Sequence, residues 1–356
     1  MKTGKIISNF TSRVTAIAGL LAILFVPVAA AHDIRETQVE AHAAKTQDAH
    51  EHHGSPGKTH DAVRPLIRAF RESGDDAHLD AAWALIEPGL EARDIDAATL
   101  VNAATVAQSR HDFVLALELI DRALAKSPHL DPAWLLRASI ELVRGNTDSA
   151  LDACRRLRRV ATLTAISCRS RVAVAQGQHE RALKQMTAVL THVRRDDADA
   201  DELAWSFSVA GDAAATLDTK LAASLYGNSL DLAESTQVRS ALVDVLLRAD
   251  RLDDAKAALA SGSAALPLTV RRMIVAKRQN RDAEIAHEIT RADRRFRHWI
   301  AHEDWLHARE MARFYLDVLP RPALAQQLAR VNLAQQREAE DLLLAARTRG
   351  CSSCGG

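Results

Sequence analysis

Aromatic residues are scarce in this chain of 356 residues: Phe, Tyr and Trp together make up 4% of it, with only two tyrosines. Sheets draw on aromatic and β-branched side chains to fill their pleated faces, so the shortage argues against an all-β fold. Breakers are also few, with 14 Gly and 9 Pro, while apolar residues reach 47% and are mostly Ala, Leu and Val. That composition favours long stretches of helix. Net charge is lacking too, since 46 basic residues balance 46 acidic ones. With no global positive field, nucleic acid and anionic membranes are not expected partners. Catalytic signatures are missing as well: there is no Gly-rich phosphate loop, no GxSxG, no HExxH and no nucleotide fingerprint. The chain is therefore not expected to be an enzyme, and no cofactor is required.

The length is too great for one compact core, which leaves two domains or one extended array of repeats. The first 31 residues read differently from the rest. Lys2, Lys5 and Arg13 form a positive region, Ala16 to Val26 is apolar, and Pro27 precedes Ala29-Ala30-Ala31. This is the pattern of a secretory signal peptide, with cleavage expected before His32. An uncleaved anchor is the alternative, but the apolar stretch is short for a span. Removing the leader leaves 43 basic and 46 acidic residues, a net charge of −3. No later run is long and apolar enough to span a bilayer, so the expected location is an oxidising compartment such as a bacterial periplasm.

Residues 32–61 hold six of the fifteen histidines in a polar setting with few large apolar side chains. Such a segment is expected to be flexible, because it cannot bury enough surface to offset its ordering entropy. His50, His52, His53 and His60 are candidate ligands for Zn, Cu or Ni, since neutral imidazole suits all three. The alternative is a plain polar linker.

From residue 62 to 346 the chain is periodic at a little over thirty residues, the scale of helix-hairpin repeats. The clearest copy starts at Asp131, with Trp134, Ala138 and Glu141 on one helical stripe. Gly145-Asn146 is the turn, and Ala150 is small where two helices would cross. A preceding copy from Ala97 carries Leu100, Ala104, Ala107, Ala116, Ile120, Ala123 and Pro128. A following copy from Leu163 carries Ser170, Gly177, Ala182, Met186 and Val189. These units resemble the tetratricopeptide repeat. Weaker copies extend the resemblance in both directions, giving seven or eight units, and Glu338 to Ala346 reads as a closing helix. The resemblance implies an all-α, tetratricopeptide-type superhelix that binds a protein or peptide along a concave groove, here in the cell envelope.

Carrying the family's groove positions across names Leu135, Ser139, Ser167, Arg171, Asp244, Arg248, Arg271 and Arg278. The later positions are more basic, with three Arg to one Asp, which predicts a carboxylate-bearing partner held by Arg forks. The alternative is ordinary solvated surface. The runs Arg155–Arg159 and Arg291–Arg297 read as solvated helix faces or partner contacts.

Four cysteines remain. Cys154 and Cys168 fall on helices that pack together in this repeat, so either a disulfide or a pair of buried small side chains is expected. Cys351 and Cys354 form a CxxC in the tail 347–356. A thiol switch, half a metal site and a local disulfide are the readings there, the last favoured by the Gly-ended context. His298 and His302 are four apart on an expected helix, with Glu303 and His307 nearby. That spacing suits a metal but is commoner as surface.

Overall fold

A computed structural model describes residues 56–157, 162–193 and 199–350. All of them lie in the second of the chain's two units, Met1–His53 and Gly54–Gly356. Among the described residues there are seventeen α-helices and no strand. They form eight hairpins: α1 (Pro56–Ser73) with α2 (Ala77–Ile86), α3 (Ala97–Ser109) with α4 (Phe113–Lys126), α5 (Asp131–Val143) with α6 (Thr147–Arg155), and α7 (Thr162–Ala175) with α8 (His179–Leu190). Next come α9 (Ala200–Ala214) with α10 (Thr219–Leu232), α11 (Thr236–Arg248) with α12 (Leu252–Ala260), α13 (Leu266–Arg278) with α14 (Asp282–Ala301), and α15 (Ala308–Asp317) with α16 (Pro322–Gln335). A last helix, α17 (Ala339–Gly350), closes the array. The fold is a helix-hairpin solenoid.

The helix ends follow from local chemistry. Asp96, Asp112, Asp199, Asp218 and Ser235 accept hydrogen bonds from backbone N–H groups in the first turns of their helices. Several helices end at a residue with positive φ: Gly74, His111, Gly145, Gly177, Asp250, Asn280 and Glu303. In six of these turns the next amide reaches back five residues, as in Asn146 N to Glu141 O at 2.7 Å and Gln178 N to Ala173 O at 2.8 Å. This left-handed cap satisfies carbonyls that the helix leaves free. The turn at Glu303 lies between hairpins. There α14 stops at Ala301, and the chain crosses to α15 through residues 302–307.

Odd-numbered helices pack on their own even-numbered partners and, except for α9 and α11, on the next odd-numbered helix, forming the inner wall. The core is uneven. The first three hairpins bury Leu79, Ile86, Leu100, Leu119, Ile120 and Ile140. The last three bury Leu268, Met311 and Leu328 around an aromatic knot in which Phe296 meets Phe314 edge-on at 5.0 Å. Between them many of the buried side chains are small, alanines and serines among them. There a disulfide joins Cys154 on α6 to Cys168 on α7, with their Cα atoms 5.7 Å apart.

The solenoid winds tightly enough to meet itself. Thr236 Oγ1, at the start of α11, donates to the carbonyl of Glu72 on α1 at 3.1 Å. Arg68 pairs with Asp201 at 3.3 Å, and His307 Nε2 lies 3.6 Å from Asp76 Oδ2. At Gly74 a Cβ would stand 2.6 Å from Ala265 Cβ, so only glycine admits this approach.

Candidate functional site

The inner wall is charged, and its charges converge on six residues of the chain itself. Gln336 to Asp341 link α16 to α17 and start the closing helix. Arg337 N donates to the carbonyl of Val143 at the end of α5, at 2.6 Å. The Gln336 amide nitrogen lies 2.7 Å from His111 Nε2, in the turn between α3 and α4. Glu338 takes Arg171 of α7 at 3.4 Å and Arg309 of α15 at 2.8 Å. Glu340 takes Arg271 of α13 at 3.2 Å and also pairs with Arg313 of α15. Asp341 accepts from Arg309 at 2.6 and 2.8 Å and from Asn332 at 2.6 Å. It also accepts from the backbone N–H of Glu338 at 2.9 Å, closing half of a capping box over the start of α17.

Beneath the segment lies a buried ionic core. Arg271 is 1% exposed. It forks onto Asp244 of α11 at 2.6 and 2.9 Å and reaches Glu310 of α15 at 3.3 Å. Arg313 binds the same Asp244 at 2.8 Å. Two guanidiniums thus alternate with the carboxylates of Asp244 and Glu340. Burial works against ionising Glu340, but Arg313 and a hydrogen bond shared with Asp244 hold it well below the usual carboxylate range. Burial pushes Asp244 the other way, upward, against the pull of Arg271 and Arg313. Asp212 on α9 is raised to about 6, first by burial, although it accepts from the Tyr226 hydroxyl at 2.7 Å and lies near Arg171. Burial and the neighbouring Arg309 lower His111 to about 4, consistent with a neutral ring that accepts from Gln336.

The eight groove positions named from the repeat pattern separate into three groups. Arg171, Asp244 and Arg271 lie in this cluster, the two arginines facing Glu338 and Glu340 and Asp244 facing Arg271 and Arg313. Ser167 is fully buried and donates to Ser206 at 2.9 Å, packed between α7 and α9 rather than open to a groove. Arg248 and Arg278 sit at the ends of their helices and reach back to carbonyls of preceding units: Arg248 to Ala215 O at 3.5 Å and Arg278 to Leu247 O at 2.6 Å. Long Arg stems at a helix C-terminus find such free carbonyls readily. Leu135 and Ser139, on α5, are half-buried and remain accessible.

The candidate metal positions are scattered. His50, His52 and His53 lie outside the described residues, as do Cys351 and Cys354. His60 sits within α1, which begins at Pro56, and its Nδ1 lies 3.0 Å from the Asn102 amide nitrogen. The rings of His298 and His302 lie 4.2 Å apart, tilted by 46°, at the exposed C-terminal end of α14. His307 lies beyond that helix, against Trp299 at 4.9 Å. In the arginine runs, Arg155 pairs with Asp152, Arg156 lies over Trp134, Arg295 lies over Trp299, and Arg297 pairs with Asp293.

The repeat pattern does not name Arg309, Arg313 or the acids of the closing segment. Two signals were available. Arg309 and Arg313 are four apart, on one stripe of an inner helix. Glu338, Glu340 and Asp341 put three acids at a helix start, where the dipole favours them.

No protein-family model matches the sequence, and no curated protein matches it. Among solved structures it is similar to the APC/C hetero-tetramer Cut9-Hcn1, at 14% identity and a TM-score of 0.44 over 79% of this chain. The chain spans only 48% of that protein. It is also similar to a tetratricopeptide repeat protein from Parabacteroides merdae, at 12% identity and a TM-score of 0.40, covering 82% of this chain and 99% of that one. A third is the TPR domain of P58(IPK), at 11% identity and a TM-score of 0.26, covering 85% and 99%. The architecture is of the tetratricopeptide type. It rests on the solenoid's own construction: hairpins about 34 residues apart in the clearest copies, left-handed turns within them, and small buried residues such as Ala116, Ala150 and Ala182 at equivalent places on the second helices.

Proposed function

We propose that this chain is an exported adaptor that works by binding a protein or peptide segment in the cell envelope, not by catalysis. One observation carries the reading. The inner helices turn polar and charged side chains to one wall, and that wall engages the short linker before α17 and the first turn of α17 through backbone and side-chain contacts. A surface that holds one peptide segment by its carboxylates has the chemistry to hold another. Export rests on the N-terminal pattern of the sequence.

Photo-cross-linking in intact cells tests the reading. A photoreactive residue at Leu135 or Ser139 is expected to join a discrete envelope protein, and the same group at the outward-facing Glu118 is not. No product from the α5 positions, in cells that export the folded chain, counts against an adaptor. N-terminal sequencing of the exported protein should begin at His32; an intact Met1 in the membrane fraction contradicts export with cleavage.

The run His50-Glu51-His52-His53 favours a second reading, in which the N-terminal segment captures Zn, Cu or Ni for the solenoid to deliver. Titration of the mature chain against a version starting at Asp61 separates the two. Chelator-resistant binding lost in the short version supports metal handling, and equal weak binding by both rejects it.

A further inference from the structure

We propose that Gln336–Asp341 is a built-in occupant of the inner wall, exchanged for a partner segment that presents carboxylates in the same Glu-x-Glu-Asp spacing. The inference rests on the adaptor reading and adds the chemistry of the partner and the means by which its site is kept covered.

The closing helix is built the wrong way round for a permanent cap. A terminal helix normally sets an apolar stripe against the last hairpin and turns charge to solvent. In α17 the buried stripe is Asp341, Leu344, Ala345 and Thr348, with one large apolar side chain among them. The adjacent Leu342 and Leu343 are 53% and 48% exposed. Glu338 and Asp341, meanwhile, point inward and hold guanidiniums at 2.6 to 3.4 Å. Attachment therefore depends on ion pairs more than on apolar burial. Ion pairs are the part of such a contact that another acidic segment can reproduce.

The wall is complementary to that chemistry. Without the segment, Arg171, Arg271, Arg309 and Arg313 face Asp212, Asp244 and Glu310, leaving guanidinium in excess. Arg171 and Arg309 then lose Glu338, and Arg271 and Arg313 lose Glu340. Guanidinium forks prefer carboxylates in bidentate or bridging geometry, so an acidic peptide fits and a neutral or basic one does not. The fixed spacing of the donors along successive inner helices sets the spacing of the acids.

The test uses the mature full-length protein and two labelled peptides. One copies residues 336–346. The other carries Gln or Asn in place of its three acids. In the wild-type protein the tethered segment competes, and apparent affinity is reduced by the fraction closed. Glu338→Gln/Glu340→Gln removes two carboxylates of the tethered copy and changes no residue of the wall itself. This variant is expected to bind the acidic peptide at least about tenfold more tightly than wild type, and to ignore the neutral twin. Saturating the wild type with acidic peptide should speed amide exchange across 339–350 and leave 308–335 protected. A folded variant that takes up no peptide, or takes both equally, overturns the proposal. Should the double variant fail to fold, Leu344→Ala loosens α17 with every ion pair kept. The same gain is expected from it, and no gain rejects the idea. If exchange fails while cross-linking from Leu135 succeeds, this inference falls and the adaptor reading stands.

Discussion

At the scale of single residues, the inner wall holds ions away from water. Arg271 is the clearest case, because its guanidinium is the shared partner of Asp244, Glu310 and Glu340. Breaking a buried ion cluster by removing one member leaves charges unpaired, which costs about 3–5 kcal/mol. Arg271→Met is expected to destabilise the fold by that amount in urea unfolding, and a loss under 1 kcal/mol would place Arg271 at the surface. Asp212 gives a pH-dependent counterpart. Its carboxyl is raised to about 6 by burial, so the fold binds that proton more tightly than the unfolded chain does. This group favours the fold at low pH, and its contribution is lost as pH rises through about 6. A rise of that size corresponds to roughly 3 kcal/mol at most. Asp212→Asn keeps an acceptor for the Tyr226 hydroxyl and removes the titration. Relative to this variant, wild type should lose stability between about pH 4 and 6.5 and stay level above that. A constant difference across that range would contradict the assignment. The sequence pattern reached Arg171, Asp244 and Arg271 because inner-helix positions recur in a repeat. It could not show that the acids facing Arg171 and Arg271 lie 167 and 69 residues further along the same chain, since those pairings depend on how tightly the solenoid coils.

At the scale of elements, the turns decide how the hairpins close. Gly145 and Gly177 share a left-handed conformation, with φ of +83° and +77°. A Cβ on Gly177 meets nothing within 4 Å, whereas on Gly145 it stands 3.2 Å from Arg337 Cδ. Gly177→Ala should cost only the backbone term of about 1–2 kcal/mol. Gly145→Ala should cost more and should also raise amide exchange at 336–341, which Gly177→Ala should not. Equal effects from the two would remove the contact between α5 and the closing segment. The disulfide belongs to this scale as well. It ties α6 to α7 where the buried side chains are small, and Cys154→Ser/Cys168→Ser should lower stability by about 3 kcal/mol, read as a drop in the unfolding midpoint. Helix pairs, turns and the closing helix were legible because glycines, Asp caps and apolar stripes are local signals. The end of α14 was less so. His298, His302 and His307 look like neighbours on one helix, but Glu303 adopts a left-handed turn that no local signal announces.

At the scale of the whole solenoid, superhelical winding determines what the inner wall can do. A shallow coil would leave the groove positions open to solvent. Here α1 meets the starts of α9 and α11, and the segment after α16 reaches α5 and α7. Winding is the sum of small rotations between hairpins, each set by the side chains at a crossing, such as Ser167 of α7 bonded to Ser206 of α9. No single motif encodes that sum. The most direct test of the central claim, that the inner wall holds the chain's own Gln336–Asp341 segment, is a designed cross-link. A Cβ at position 145 would lie 3.3 Å from the Cβ of Arg337, close to disulfide range. Gly145→Cys/Arg337→Cys, in a mature chain carrying Cys351→Ser and Cys354→Ser, should oxidise spontaneously in the folded protein and give one peptide linking the two positions by mass spectrometry. Both engineered thiols remaining free to alkylation, with Cys154 and Cys168 bridged, would show that the segment does not occupy the wall.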